Sequence, residues 1–178
     1  MISIIGSGKV GSAIAFLCGS FGLDDILLVN RSEKKAMGEA LDISNAIPTS
    51  STMLIKGTND YSKITNSKVI AIAASSGIHL QSRSEIMLDQ AIMIRKIAKD
   101  VAKFAPDAKI LMVTNPVDVM TYIAQKEGNF SPKNIIGVAS SLDSSRFRYL
   151  LSQEFDTNQS KITDARREIG RASCRERV

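Results

Sequence analysis

Tryptophan is absent from these 178 residues, histidine occurs once and cysteine twice. Cys18 and Cys174 have neither the spacing of metal ligands nor the number of a disulfide framework, so neither device is expected to hold the fold. His79 has no acid or second ligand beside it and reads as an ordinary loop residue. Long apolar runs are also missing. No stretch approaches the ~20 residues of a membrane span, and the start MISIIGSG has no basic leader ahead of a long apolar segment. A soluble, cytoplasmic protein without a membrane partner is expected. The net charge of +5 includes no dense basic run, which argues against a nucleic-acid partner.

Apolar residues, at 44%, suffice for a real core, and the length fits one domain or most of one with a piece of a second. The C-terminal stretch 169–178, IGRASCRERV, matches residue for residue one reading frame of a common short-read sequencing adapter (ATC GGA AGA GCG TCG TGT AGG GAA AGA GTG). Such scars are excluded from fold reasoning. Residues 169–178 are therefore expected to be a non-native tail, with the natural sequence broken off near Arg167 or Glu168. Leaving out its three arginines and one glutamate gives 20 basic against 17 acidic residues, a net +3.

Short apolar runs alternate with helical patterns along the rest. Ile2 to Ile5 leads into GSGKVG and a helix. DDILLVN is a second strand, and RSEKKAMGEALDISNA is helical with Ala36, Ala40, Leu41 and Ile43 on one side. TMLIKG is a weak strand, NDYSKITN a polar connection and KVIAIAA a buried-type strand. A long helix from Ser84 to Phe104 turns Ile86, Ile94, Ile97 and Val101 inward. KILMVTNP, a helix from Val117 to Glu127, NIIGVAS and a helix beginning within LDSSRFR complete the pattern. Continuous apolar strands alternating with helices predict an α/β fold, a doubly wound parallel sheet covered on both faces. Residues 1–140 are expected to form a dinucleotide-binding domain, and 141–168 the start of a truncated second domain.

Gly6, Gly8 and Gly11 form GxGxxG between the first strand and first helix. The first glycine permits a tight turn, the second lets backbone approach a pyrophosphate, and the third lets helix pack on strand. Free N–H groups at the positive helix end then hold the phosphates, which makes Gly6, Gly8, Lys9, Val10 and Gly11 the expected cofactor-binding turn. An acidic residue at the end of the second strand would bind the ribose of NAD. Asn30 stands there instead, followed by Arg31 and Ser32, and an arginine accommodates a 2′-phosphate. These three residues tilt the reading from NAD towards NADP, although Asn30 or Ser32 could equally cap the next helix.

Asn115, before a proline, is held extended where its amide can face the crevice beyond the strands. An ordinary strand-to-helix turn, with Asp118 in the first helical turn, explains it as well. Arg83 opens a long helix, where a cation meets the positive dipole end and gains nothing, so a functional reason gains weight. Asp143 and Arg146 have a bland account, a helix cap paired with an arginine one turn later.

Together these segments are similar to the lactate/malate dehydrogenase family. GSGKVG, GEALDISNA, GTNDYSKITNSKVIAIAASSG, TNPVDVMTYIA and LDSSRFR fall in that family's order and spacing, and the flavour is that of malate dehydrogenases. The resemblance implies a Rossmann NAD(P)-binding domain followed by a substrate domain. It also implies a small 2-hydroxy or 2-oxo acid substrate and a homo-oligomer. Arg146 would grip the substrate carboxylate, a task suited to a planar guanidinium that offers two parallel hydrogen bonds. Asp143 would orient a catalytic histidine, Asn115 would bond the substrate and lie beside the cofactor, and Arg83 would polarise the reacting carbonyl.

Two departures from the family pattern stand out. The loop SGIHLQSR is about three residues shorter and lacks the additional arginine of malate-specific members. The family's catalytic histidine belongs to a GEHG-type segment that would follow KITDA, and His79 sits in the wrong loop to replace it. The reading is an NAD(P)-dependent malate dehydrogenase whose fragment, as given, is inactive. The alternatives are an L-lactate dehydrogenase and a non-catalytic redox-sensing module.

Overall fold

The computed structural model describes residues 1–49, 51–76, 83–163 and 165, with the side chains at positions 83–85 excepted. His79 and the adapter-like tail lie outside the described residues. Strands β1 (Ile2–Ile5), β2 (Ile26–Val29) and β4 (Val69–Ile72) are the apolar runs ISII, ILLV and VIAI. They are too short for helices and buried on both faces, as strands between two helical layers must be. With β3 (Ile55–Thr58), β5 (Lys109–Met112) and β6 (Ile135–Gly137) they form one sheet in the order β3-β2-β1-β4-β5-β6. Every pairing is parallel, with Ile2 opposite both Ile26 and Val69. The expected doubly wound α/β sheet is therefore present.

The helices are α1 (Lys9–Ser20), α2 (Glu33–Ala46), α3 (Arg83–Phe104), α4 (Val117–Gly128) and α5 (Ser140–Glu154). Because side chains alternate along a strand, β2 divides its residues between two cores. Leu27 and Val29 join Ile94, Ile97 and Val101 of α3 and Met120 of α4. Ile26 and Leu28 join Ala15 of α1 and Ala40 and Ile43 of α2. A one-residue slip of β2 would exchange these faces, so burial itself sets the register.

Some inward assignments need correction. Leu41 is 63% exposed, because Ala36, Ala40 and Ile43 already complete the buried stripe of α2. Ile86 is only half-buried, one turn from the start of α3. The helix expected at Asp143 begins earlier, at Ser140, so Asp143 lies in its first turn and the backbone cap is Ala139. Only Ser144 and Ser152 of α5 are buried, while Leu142, Tyr149 and Leu150 are exposed.

The polar connection NDYSKITN contains a short 3₁₀ helix, Tyr61–Ile64, that plugs the edge of the larger core with the fully buried Ile64. Asp60 caps it by accepting from the Ser62 N–H at 2.8 Å, and the Ser62 hydroxyl together with that N–H holds its carboxyl below the usual range. Burial, with the Asp100 carboxylate adding to it, pushes the Tyr61 phenol up to about 12. A phenol harder to ionise when folded stabilises the fold below its unfolded pKa of about 10 and loses that contribution as pH rises towards 12. Alkaline denaturant titrations should accordingly show ~2–3 kcal/mol of stability lost across that window. Tyr61→Phe should remove the slope, and an unchanged slope would assign it to other groups.

Candidate functional site

All six strands run in one direction, so their C-terminal ends share one edge of the sheet. The chain leaves β1 towards β2 and β3 on one side, and β4 starts the other half. This reversal between β1 and β4 opens a crevice where ligands bind in such sheets. The glycine turn lies at its centre. Gly6 has φ +105°, and a Cβ there would lie 2.6 Å from the Ala74 backbone that follows β4. A Cβ on Gly11 would lie 1.8 Å from the Gly6 carbonyl oxygen, so helix α1 closes directly on the turn.

Gly8 differs from both. Nothing in the protein lies within 4 Å of where its Cβ would be, and its backbone is extended at φ −89° and ψ −174°. Packing explains Gly6 and Gly11 but gives no reason for glycine at 8. The open space above it is the kind of approach a pyrophosphate needs. Gly8 is also the N-cap of α1, without a side-chain cap and without an acidic residue in the first turn. The N–H groups and positive dipole end of α1 are thus left for an anion. Lys9 and Val10, which follow, are exposed at the mouth of the turn.

Asn30 directly follows β2 and is tied to this turn. Its Nδ2 donates to Ser7 Oγ at 2.8 Å, and its Oδ1 accepts from Ser32 N–H at 3.0 Å. Ser32 in turn caps α2 by accepting from Lys35 N–H. Of the three residues that tilted the reading towards NADP, Arg31 and Ser32 are exposed, and Asn30 and Ser32 are engaged in the protein's own turns. Their capping role therefore accounts for much of that pattern.

Asn115 follows β5, is exposed, and precedes a cis bond to Pro116, the N-cap of α4. Asp143 and Arg146 follow β6 in the first turns of α5 and form an ion pair at 3.5 Å, with Arg146 68% exposed. The bland pairing is thus realised, in a form worth only ~0–1 kcal/mol at a surface. Arg83 is the first residue of α3, and its side chain lies outside the described residues. The turn after β1, Asn30 after β2, Asn115 after β5 and the Asp143–Arg146 pair after β6 all stand at the same edge. At ~4.8 Å per strand, Asn30 and Asn115 follow strands ~14 Å apart, a span suited to an extended dinucleotide.

Sequence reasoning missed the residues that brace this edge. Ser7 is fully buried and holds Asn30. Thr114 Oγ1 donates to the Ala74 carbonyl at 2.7 Å and fixes the segment against which Gly6 rests. Gln90 of α3 reaches Ser75 and Ser76 in the same segment. Ser12 of α1 donates to Glu39 of α2 at 2.7 Å. Among the described residues no cluster of histidine, cysteine, aspartate or glutamate is arranged to hold a metal, and no helix is long and apolar enough to cross a membrane.

Residues 1–137 match the family model described as lactate/malate dehydrogenase, NAD binding domain. The chain is 38% identical over 162 residues to L-lactate dehydrogenase A of Hordeum vulgare, covering 90% of this chain and 46% of that protein. It is also 38% identical over 168 residues to malate dehydrogenase of Bacillus mycoides (strain KBAB4), covering 91% and 53%. Among solved structures, the lactate dehydrogenase of Cryptosporidium parvum, complexed with lactic acid and nicotinamide adenine dinucleotide, superposes with a TM-score of 0.85. The identity there is 38%, over 91% of this chain and 52% of that one. The chain spans about half the length of the curated relatives it matches.

Proposed function

The chain belongs to the lactate/malate dehydrogenase family, and from that premise we propose that it is the cofactor-binding half of an NAD-dependent 2-hydroxy-acid dehydrogenase acting on malate and oxaloacetate. The observation that carries the cofactor assignment is the open space over Gly8 at the unblocked N-terminus of α1, at the sheet's switch point. When bound, NAD supplies the acceptor for hydride from the hydroxyl-bearing carbon. The protein's part is to hold and polarise. Backbone N–H groups of the turn from Gly6 to Gly11, with Lys9 and Val10 at its mouth, receive the pyrophosphate. Asn30, fixed by Ser7, faces the ribose.

In this reading Arg146 exchanges its exposed pairing with Asp143 for two parallel hydrogen bonds to the substrate carboxylate. Asp143, released, orients and charges the histidine that carries the proton, which belongs to the segment following KITDA in the family. Asn115 bonds the substrate and Arg83 polarises its carbonyl. Residues 141–168 begin the substrate domain, and 169–178 are a non-native tail. The whole protein is a homo-oligomer, as the family resemblance implies, and works in the cytoplasm.

Malate rests on the flavour of the motifs alone, since relatives of both names match at 38% identity. Steady-state assays of the full-length protein should give a higher kcat/KM for oxaloacetate than for pyruvate. The reverse order would make it a lactate dehydrogenase, and binding of NAD with no turnover of either acid would make it a sensing module.

Support for the cofactor runs to NAD, because the family model is an NAD binding domain and the Cryptosporidium parvum relative holds that cofactor. The tilt towards NADP has no support beyond Asn30, Arg31 and Ser32, and is reduced here to tolerance. Arg31→Ala should weaken NADP binding by about ten-fold or more, the value of one charged contact, and leave NAD nearly unchanged. Equal effects on both cofactors would return Arg31 to the solvated surface.

A further inference from the structure

A glutamine is an expensive side chain to bury unless its amide is satisfied on both sides. Gln90 is 7% exposed, and every other buried polar residue among those described is a serine or threonine. Its Oε1 accepts from the Ser76 N–H at 3.2 Å, and its Nε2 donates to Ser75 Oγ at 3.3 Å. Both bonds end on the segment that leaves β4, one side of the crevice at the switch point. That segment is also gripped from the turn after β5, where Thr114 Oγ1 donates to the Ala74 carbonyl. It abuts the phosphate turn so closely that Gly6 has no room for a Cβ.

We propose that Gln90 is a positioning residue for the dinucleotide: its amide clamps Ser75 and Ser76 from α3 and thereby holds the wall that stands against the pyrophosphate turn. The inference rests on the cofactor site proposed above. Thr114 holds one residue of this wall from the turn after β5, and Gln90 holds the next two from the helix. A wall already fixed before the ligand arrives costs no ordering on binding, whereas a loose one subtracts its ordering cost from the affinity. Gln90 also stands two helical turns beyond Arg83, the first residue of α3. The clamp therefore ties the start of the helix that carries Arg83 to the segment bordering the cofactor turn.

The test combines calorimetric titration of NAD with residue-level amide hydrogen exchange on the full chain. Gln90→Met keeps the length, volume and helix propensity but removes the amide. Exchange at Ser76 should rise at least about ten-fold while β1 and β5 stay protected, and the Kd for NAD should rise about ten-fold, as loss of two hydrogen bonds implies. Faster exchange at Ser76 with a Kd within about two-fold of wild type would reduce Gln90 to a structural residue and overturn the proposal. If Gln90→Met does not fold, Ser75→Ala decides, since Ser75 is exposed and its hydroxyl is one end of the clamp. A Kd raised about three-fold supports the proposal, and an unchanged Kd overturns it. A wild-type chain that does not bind NAD overturns the cofactor site and this inference together, an outcome distinct from wild-type binding with an indifferent variant.

Discussion

Gly8→Ala should leave the chain folded and cost it most of its affinity for NAD, whereas Gly11→Ala should break the turn itself. The contrast comes from what surrounds two glycines in one motif. At position 8 the backbone is already extended and a Cβ meets nothing within 4 Å, so only the small preference of an N-cap for glycine over alanine is lost. That is worth ~1 kcal/mol or less. The added methyl instead occupies the space through which a pyrophosphate would approach. Overpacking of ~1–3 kcal/mol there corresponds to a Kd raised by roughly ten- to hundred-fold.

At position 11 the methyl would lie 1.8 Å from the Gly6 carbonyl oxygen, an overlap relieved only by moving α1 off the sheet. A loss above ~4 kcal/mol is expected, a large part of the ~5–15 kcal/mol that holds a domain together. Thermal melting and NAD titration of both variants separate the two effects. Wild-type affinity in Gly8→Ala would mean that the space above Gly8 is not where the phosphates sit.

The other large effect is expected at Arg146 in the full-length protein. Its ion pair with Asp143 is formed at the surface, with Arg146 68% exposed, so Arg146→Ala should change the melting temperature little. If the guanidinium makes two charge-assisted bonds to a substrate carboxylate, its loss removes ~1.5–3 kcal/mol for each. The value of kcat/KM should then fall by ~10²–10⁴ with the Kd for NAD unchanged. Arg146→Lys should recover only part, because a point charge replaces a planar fork. Full recovery by lysine would limit the role to charge, and an unaffected kcat/KM would leave only the surface pair.

Much of the architecture is legible in the chain because its signals are local. ISII, ILLV and VIAI are runs too short and too apolar for anything but buried strands, and the patterns between them repeat at helical spacing. GSGKVG placed after the first strand points to a phosphate turn, and the family order of the later motifs points to the residues around it. Stripe edges were less legible. Leu41 continues the apolar spacing of α2 yet faces solvent, because the width of a buried face is set by what packs on it and not by the helix that offers it.

Tertiary structure decided which polar groups meet. Asn30 and Ser7 are 23 positions apart, Ser76 and Gln90 14, and Thr114 and Ala74 40. A hydroxyl or amide carries no periodicity that names its partner. The partner is set by the strand order β3-β2-β1-β4-β5-β6, which brings the ends of β1, β2, β4 and β5 to one edge. The same holds for the three glycines of one motif. Their spacing is written in the sequence, but only packing distinguishes the two that the protein fills from Gly8, above which it leaves room.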